Sequence, residues 1–209
     1  MAALTARFDK ALFYSSVLSR ALSRETNDLD LTARALATAA LVIGAGGNED
    51  EAISSLLLEI ADGRHDQRML VDIGALFGSE VLAILEDCLA SNYRKVAATW
   101  RSGVYSRIVS RPPRSTLVAL ADSMVMAGAL HASLIGRGSQ AWNGYEASRE
   151  DVLRHFELLV RAFVEIQPGA LAAQFESLVS ELLCAASPYN AEPLPFRPRI
   201  TRDDESGES

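Results

Sequence analysis

The sequence predicts an all-α fold, a bundle of about eight to ten helices, because apolar residues recur at helical spacing along nearly the whole chain and no run of four to eight residues shows the strict alternation or β-branched enrichment of a strand. Composition agrees. Of 209 residues 49% are hydrophobic and 22% charged, enough apolar material for one buried core and too much for a disordered chain. Twenty Lys and Arg stand against 27 Asp and Glu, and a net charge of -7 gives no general attraction to a phosphate backbone or an anionic bilayer. Nucleic acid and membranes are therefore not expected as partners. Only Cys88 and Cys184 are present, both within apolar helical patterns, which rules out a disulfide scaffold or a cysteine zinc site and points to a reducing cytoplasm. No signal-type apolar segment is visible near Met1, and no apolar run reaches the length of a membrane span.

The elements follow in order. Leu4, Phe8, Ala11, Leu12, Leu18 and Leu22 share one face of a first helix. Leu31 to Ile43 forms a second, ended by the Gly44-Ala-Gly-Gly47 run. Asn48 opens a third helix with Glu51 at N3, an Asn variant of the capping box; Ile53, Leu56, Leu57 and Ile60 form a stripe too apolar to be exposed, and Asp62-Gly63 is expected to break it. Met69 to Phe77 reads as a short helix. Ser79 caps another, bearing Val81, Ile84, Leu85 and Cys88, and Ala90 to Lys95 reads as a polar loop. Trp100 to Val109 is helical up to Pro112-Pro113, because a residue before proline leaves the α region and proline interrupts the ladder. A long helix from Arg114 to about Ile135 precedes a loop from Gly136 to Glu146 that carries Trp142 and Tyr145. Ser148, with Asp151 at N3, starts a helix bearing Val152, Phe156, Leu159 and Phe163, and Pro168-Gly169 separates it from a last helix ending near Ala186. The organisation is thus one helical domain, residues 1–187, and a Pro-rich, acidic tail, residues 188–209, expected to be mobile because it cannot bury enough apolar surface to offset ordering entropy.

Several segments, in order and at matching spacing, resemble a known family. They are Arg34-Ala-Leu-Ala-Thr-Ala-Ala-Leu-Val-Ile43, Glu51-Ala-Ile-Ser-Ser-Leu-Leu57, Phe77-Gly-Ser-Glu-Val81, Arg101 with Tyr105, Leu120-Ala-Asp122, and Gly138-Ser-Gln-Ala-Trp142 leading to Ser148-Arg-Glu-Asp151. Together they resemble the HD-domain superfamily, in particular its alarmone-hydrolase branch, similar to the hydrolase half of RelA/SpoT-type proteins. The resemblance spans most of the chain and implies an HD-type helical bundle. It also implies a divalent metal, usually manganese, held by a histidine, an adjacent His-Asp pair and a distant Asp, and activating water against a phosphoester or pyrophosphate.

At the matching positions the ligands are replaced. The first histidine falls on Arg34, the His-Asp pair on Leu58-Glu59, and only Asp122 is retained. Of the following Glu-Asp pair Asp62 keeps a carboxylate and Gly63 keeps nothing, while the two phosphate-gripping Arg-Lys pairs become Arg24-Glu25 and Arg101-Ser102. Arg only donates hydrogen bonds, stays protonated and repels a divalent cation, so the substitutions predict no resident metal or other cofactor and no catalytic residue in a vestigial pocket of Arg34, Leu58, Glu59, Asp62 and Asp122. A salt-bridged triad of Arg34, Glu59 and Asp122 is expected in the metal's place. The implied function is a catalytically inactive protein kept for nucleotide binding or regulation, with Arg24 and Arg101 gripping a guanine nucleotide. Two alternatives stay open: an active manganese- or other divalent-metal-dependent pyrophosphohydrolase using Glu59, Asp62 and Asp122, and a module that binds a protein partner. The His65-Asp66 dipeptide spells the family's pair but lies seven residues late, in a polar stretch expected to be solvated. His131 and His155 stand alone, with no i, i+4 metal spacing. Arg101, Arg107, Arg111 and Arg114 form a basic cluster around Pro112 that reads as a solvated face.

Overall fold

The structure, a computed structural model, describes residues 3–26, 31–64, 67–91, 94 and 103–187. The fold is all-α. Among the described residues there are nine α-helices and one 3-10 helix: α1 Ala6–Thr26, α2 Leu31–Gly44, α3 Glu49–Arg64, α4 Gln67–Phe77, α5 Ser79–Ser91, α6 Val104–Val109, α7 Pro113–Arg137, the 3-10 turn Gly138–Gly144, α8 Arg149–Ile166 and α9 Ala170–Ala185. The tail of residues 188–209 lies outside the described residues.

Two helices organise the core. In α3 every residue from Ala52 to Ala61 is buried, and in α7 every residue from Ser115 to Ser123. A helix buried on all sides must be wrapped by others. Around α3 pack α1, α2, α4, α5 and α7; around α7 pack α2, α3, α5, α8 and α9. The two central helices also touch each other, and this crossing positions the site.

Local chemistry explains the boundaries. The α2–α3 turn is a Schellman motif: Gly47 N–H donates to Val42 O at 2.9 Å, Gly46 N–H to Ile43 O at 3.1 Å, and Gly46 has the left-handed φ of 87° that the motif requires. A Cβ on Gly47 would lie 2.6 Å from Val42 Cγ1, so the turn also needs glycine for space. At the start of α3 the capping box closes both ways, with Glu51 N–H donating to Asn48 Oδ1 at 3.0 Å and Asn48 N–H to Glu51 Oε2 at 2.7 Å. Ser148 caps α8 by accepting from Asp151 N–H at 3.2 Å.

The structure departs from the sequence expectations in several places. α3 runs through Asp62-Gly63 to Arg64 instead of breaking there, because a single glycine in a last turn costs about 1 kcal/mol, less than the burial that holds the helix. Ser79 is the first helical residue of α5 and not its cap: Gly78, at φ 100°, precedes it and its carbonyl accepts from Leu82 N–H at 3.3 Å. α7 begins at Pro113, where a missing N–H is harmless, and of the stretch expected as a loop from Gly136 to Glu146 residues 136–144 are helical, ending in the 3-10 turn, while Tyr145 and Glu146 are irregular. Leu4 lies before α1 and is exposed, whereas the buried row of α1 is Ala11, Ser15, Ser19 and Leu22. Ser15 is tolerated there because its hydroxyl donates to Leu56 O at 2.7 Å. Of the expected helix from Trp100 to Val109, residues 100–102 lie outside the described residues.

The segment Pro113–Asn143 is long and apolar enough to cross a bilayer by composition, with a mean hydropathy of 1.6 over an 18-residue stretch within it. Leu117, Val118, Leu120, Leu130 and Leu134 are buried in the core, while Ile135 is exposed.

Candidate functional site: an ion-pair cluster at the crossing of two buried helices

Two carboxylates sit where the surrounding protein offers least water. Glu59 belongs to the buried run of α3 and is 5% exposed; Asp122 belongs to the buried run of α7 and is 1% exposed. An ionised carboxylate withdrawn from water costs several kcal/mol unless it is paired and hydrogen-bonded. Asp62 lies one turn beyond Glu59 on the same face of α3, an i, i+3 neighbour, and is half-buried.

The pairing comes from a residue that the sequence patterns did not single out. Arg94, in the connection between α5 and α6, has a side chain only 8% exposed and brings each of its three nitrogens within ion-pair distance of a different carboxylate; Nη1 and Nη2 donate hydrogen bonds, whereas the Nε contact is an ion pair without hydrogen-bond geometry. Nε lies 3.0 Å from Asp122 Oδ2, Nη1 lies 3.0 Å from Asp62 Oδ2, and Nη2 donates to Glu59 Oε1. The planar guanidinium suits this task because its donors diverge in one fixed fork, which a lysine ammonium cannot reproduce. Arg34, from α2, adds a second guanidinium, with Nη2 3.1 Å from Glu59 Oε1. Among the described residues the cluster thus holds three carboxylates and two guanidiniums. Burial raises the pKa of the Tyr145 phenol while Arg34 opposes the rise, which places the Trp142–Tyr145 loop within electrostatic reach of the cluster. The two rings are tilted, with centroids 6.4 Å apart.

The residues singled out in the sequence are placed as follows. Arg34, Glu59, Asp62 and Asp122 meet in this cluster, while Leu58 points into the apolar core at 1% exposure. Arg94 lies against Asp122, and Arg34 is engaged with Glu59. Arg24 lies in α1, with its side chain outside the described residues; Arg101, His65 and Asp66 lie outside them altogether. His131 is half-buried in α7, and His155 is wholly buried in α8 with its ring against Phe156, centroids 5.5 Å apart. In the basic cluster around Pro112, Arg111 turned out not to be solvated. It is buried at 7% exposure, with Nη1 3.6 Å from Cys88 Sγ, and Arg114 pairs with Asp87 at 2.8 Å. Burial pushes the Cys88 thiol up to about 11, with the Arg111 charge only partly opposing it, so no thiolate nucleophile is available there at neutral pH.

Arg94 was missed because its partners lie 32 and 35 residues before it and 28 after it in the chain, and nothing in a polar loop marks which of its charges will be drawn inward. The one signal available was negative: Glu59 on a buried stripe requires a cation, and Arg34 alone could not also serve Asp62 and Asp122.

This donor set does not fit a divalent ion. The metal implied by the resemblance needs imidazole and carboxylate lone pairs aimed at one point, yet the three carboxylates already face guanidinium nitrogens and the position expected to carry the His of the pair is Leu58. Two fixed positive charges at close range would also repel the ion. What the arrangement does chemically is neutralise and cross-link: one side chain ties α3 to α7 and to the α5–α6 connection. Compared with known proteins, the chain matches no family model and no curated sequence.

Proposed function

We propose that the protein is a non-hydrolytic, HD-like helical domain that acts in the reducing cytoplasm as a binding or regulatory protein, with a guanine nucleotide as its ligand. The observation that carries the first half is the ion-pair cluster. Water activation requires a Lewis acid or a free base at the reacting centre, and here Glu59, Asp62 and Asp122 each lie within ion-pair distance of Arg94 or Arg34. The ligand class follows from the family resemblance, with Arg24 and Arg101 as its proposed phosphate contacts. Two free cysteines, Cys88 and Cys184, agree with the compartment.

The test uses the full chain. Incubated with guanosine tetraphosphate and manganese, it should release no pyrophosphate above a protein-free control, and elemental analysis should find no stoichiometric metal. A guanine nucleotide at millimolar concentration should raise the melting temperature, since a ligand that binds only the folded state stabilises it. Turnover together with stoichiometric metal overturns the non-hydrolytic reading. A melting temperature unmoved by any guanine nucleotide overturns the nucleotide reading.

A further inference from the structure

We infer that the groove between α2, α7 and α9 is the docking surface for this chain's own tail, residues 188–209, with Leu194-Pro195-Phe196 seated in it. None of the ion-pair residues lines this groove, and the inference does not rest on the nucleotide reading.

Three observations carry it. First, the groove is roomy and its floor is apolar. It measures about 450 Å³, the size of a binding cleft, between Leu41 and Gly44 at the end of α2 and Leu171 and Gln174 at the start of α9. Leu117 and Leu120 of α7, at 8% and 0% exposure, form the floor. α9 opens at Gly169 without a capping side chain, so the N–H groups of its first turn have no partner within the helix. A proline-rich strand suits such a wall, because its own carbonyls are free to accept hydrogen bonds and its prolines leave less entropy to lose on docking. Second, the length matches. The 16 residues of α9 rise by about 24 Å, and a proline-rich strand covers that distance in about eight residues at about 3.1 Å each. Counted back along α9 from Pro188, this brings residues 194–196 to the groove. Leu194 and Phe196 supply large apolar side chains there, flanked by Pro193, Pro195 and Pro198. Third, the charges are complementary. A Cβ on Gly47 would lie 3.1 Å from Leu117 Cδ2, so the α2–α3 turn adjoins the floor, and α3 begins two residues later with Glu49, Asp50 and Glu51. Among the described residues the cation paired with that acidic turn is Arg7. The tail follows Phe196 with Arg197, Arg199 and Arg202, so an apolar pair and a basic run meet an apolar floor and an acidic margin in the same order. A short tether holds the tail at an effective concentration on the order of 1 mM, so individually weak contacts suffice.

The test compares three full-length chains: the wild type, Phe196→Ser in the tail, and Gly44→Leu, which fills the groove from a position where a Cβ meets nothing within 4 Å. Trypsin cleavage after Arg199 is followed by mass spectrometry, each chain being referred to a free peptide of its own residues 188–209. The wild-type tail should be cut at least about threefold more slowly than its peptide, and both variants at nearly the peptide rate. Phe196→Ser leaves the helical core untouched, so the comparison holds even if Gly44→Leu folds poorly. In methyl NMR spectra the Leu117 and Leu120 resonances should shift between the wild type and Phe196→Ser. A wild-type tail cut as fast as its peptide, or Leu117 and Leu120 methyls unmoved by Phe196→Ser, overturns the inference. Protection that grows with protein concentration overturns it too, by placing a second copy's tail in the groove. None of these outcomes involves a nucleotide, so the functional reading stands or falls separately.

Discussion

Two arginines among the described residues each hold two or more carboxylates, and they are not equivalent. Arg7 in α1 lies 3.0 Å from Glu49 and 2.5 Å from Asp50 at the start of α3, and it donates to Phe77 O at 3.3 Å. Thr5 completes that surface staple by donating its N–H and its hydroxyl to Glu49. Arg94 makes an arrangement with the same chemistry at the middle of the molecule. Arg7 is 37% exposed and Arg94 is 8%. Water screens the first network and would resolvate its members if the arginine were lost, so it contributes modestly. The second has no such recourse. There the relevant quantity is the cost of stranding charges in a poorly solvated crossing, and that cost is large whether or not the intact cluster is itself strongly stabilising.

The comparison can be broken at either end. Arg94→Ala should lower the unfolding free energy by about 3–5 kcal/mol, as urea titration would show; a loss below about 1 kcal/mol would place the cluster in the same class as a surface pair. Arg7→Ala should cost less than about 1 kcal/mol, and raising the salt concentration should shrink the difference from wild type, while the Arg94→Ala difference should hold nearly constant. The smallest effect concerns pH. Glu49 has its carboxyl held below the usual value of 4.5, first by the Thr5 hydroxyl and then by Arg7. A lowered folded value means that the staple stabilises fully above 4.5 and is lost as pH falls through the folded value. Unfolding titrations of Glu49→Gln and wild type should therefore differ at neutral pH and converge under strongly acid conditions.

What could be read from the sequence divides along the same line. Short-range chemistry was legible: the Asn48–Glu51 and Ser148–Asp151 caps and the glycine turn at Gly46 each depend on residues within five positions of one another. The all-α character followed from periodicity, whereas Leu58, expected in the vestigial pocket, packs into the apolar core. The resemblance pointed to Arg34, Glu59, Asp62 and Asp122, which do meet. Arg94 was invisible because a long side chain on an irregular connection carries no periodic signal, and its role is set by three partners that only tertiary packing assembles. Arg111 misled for the opposite reason. A cluster of like charges beside a proline turn suggests solvent, but the α5–α7 packing draws one of its members inside, against Cys88.

The long apolar helix α7 has a bearing on how the chain must be made. Its 18-residue stretch of mean hydropathy 1.6 relies on neighbours to cover its buried half, and those neighbours include α8 and α9, which are synthesised after it. During translation the emerging polypeptide therefore displays a lipid-like stretch before its partners exist. Newly made protein is most exposed to aggregation, and most in need of a chaperone, during that interval.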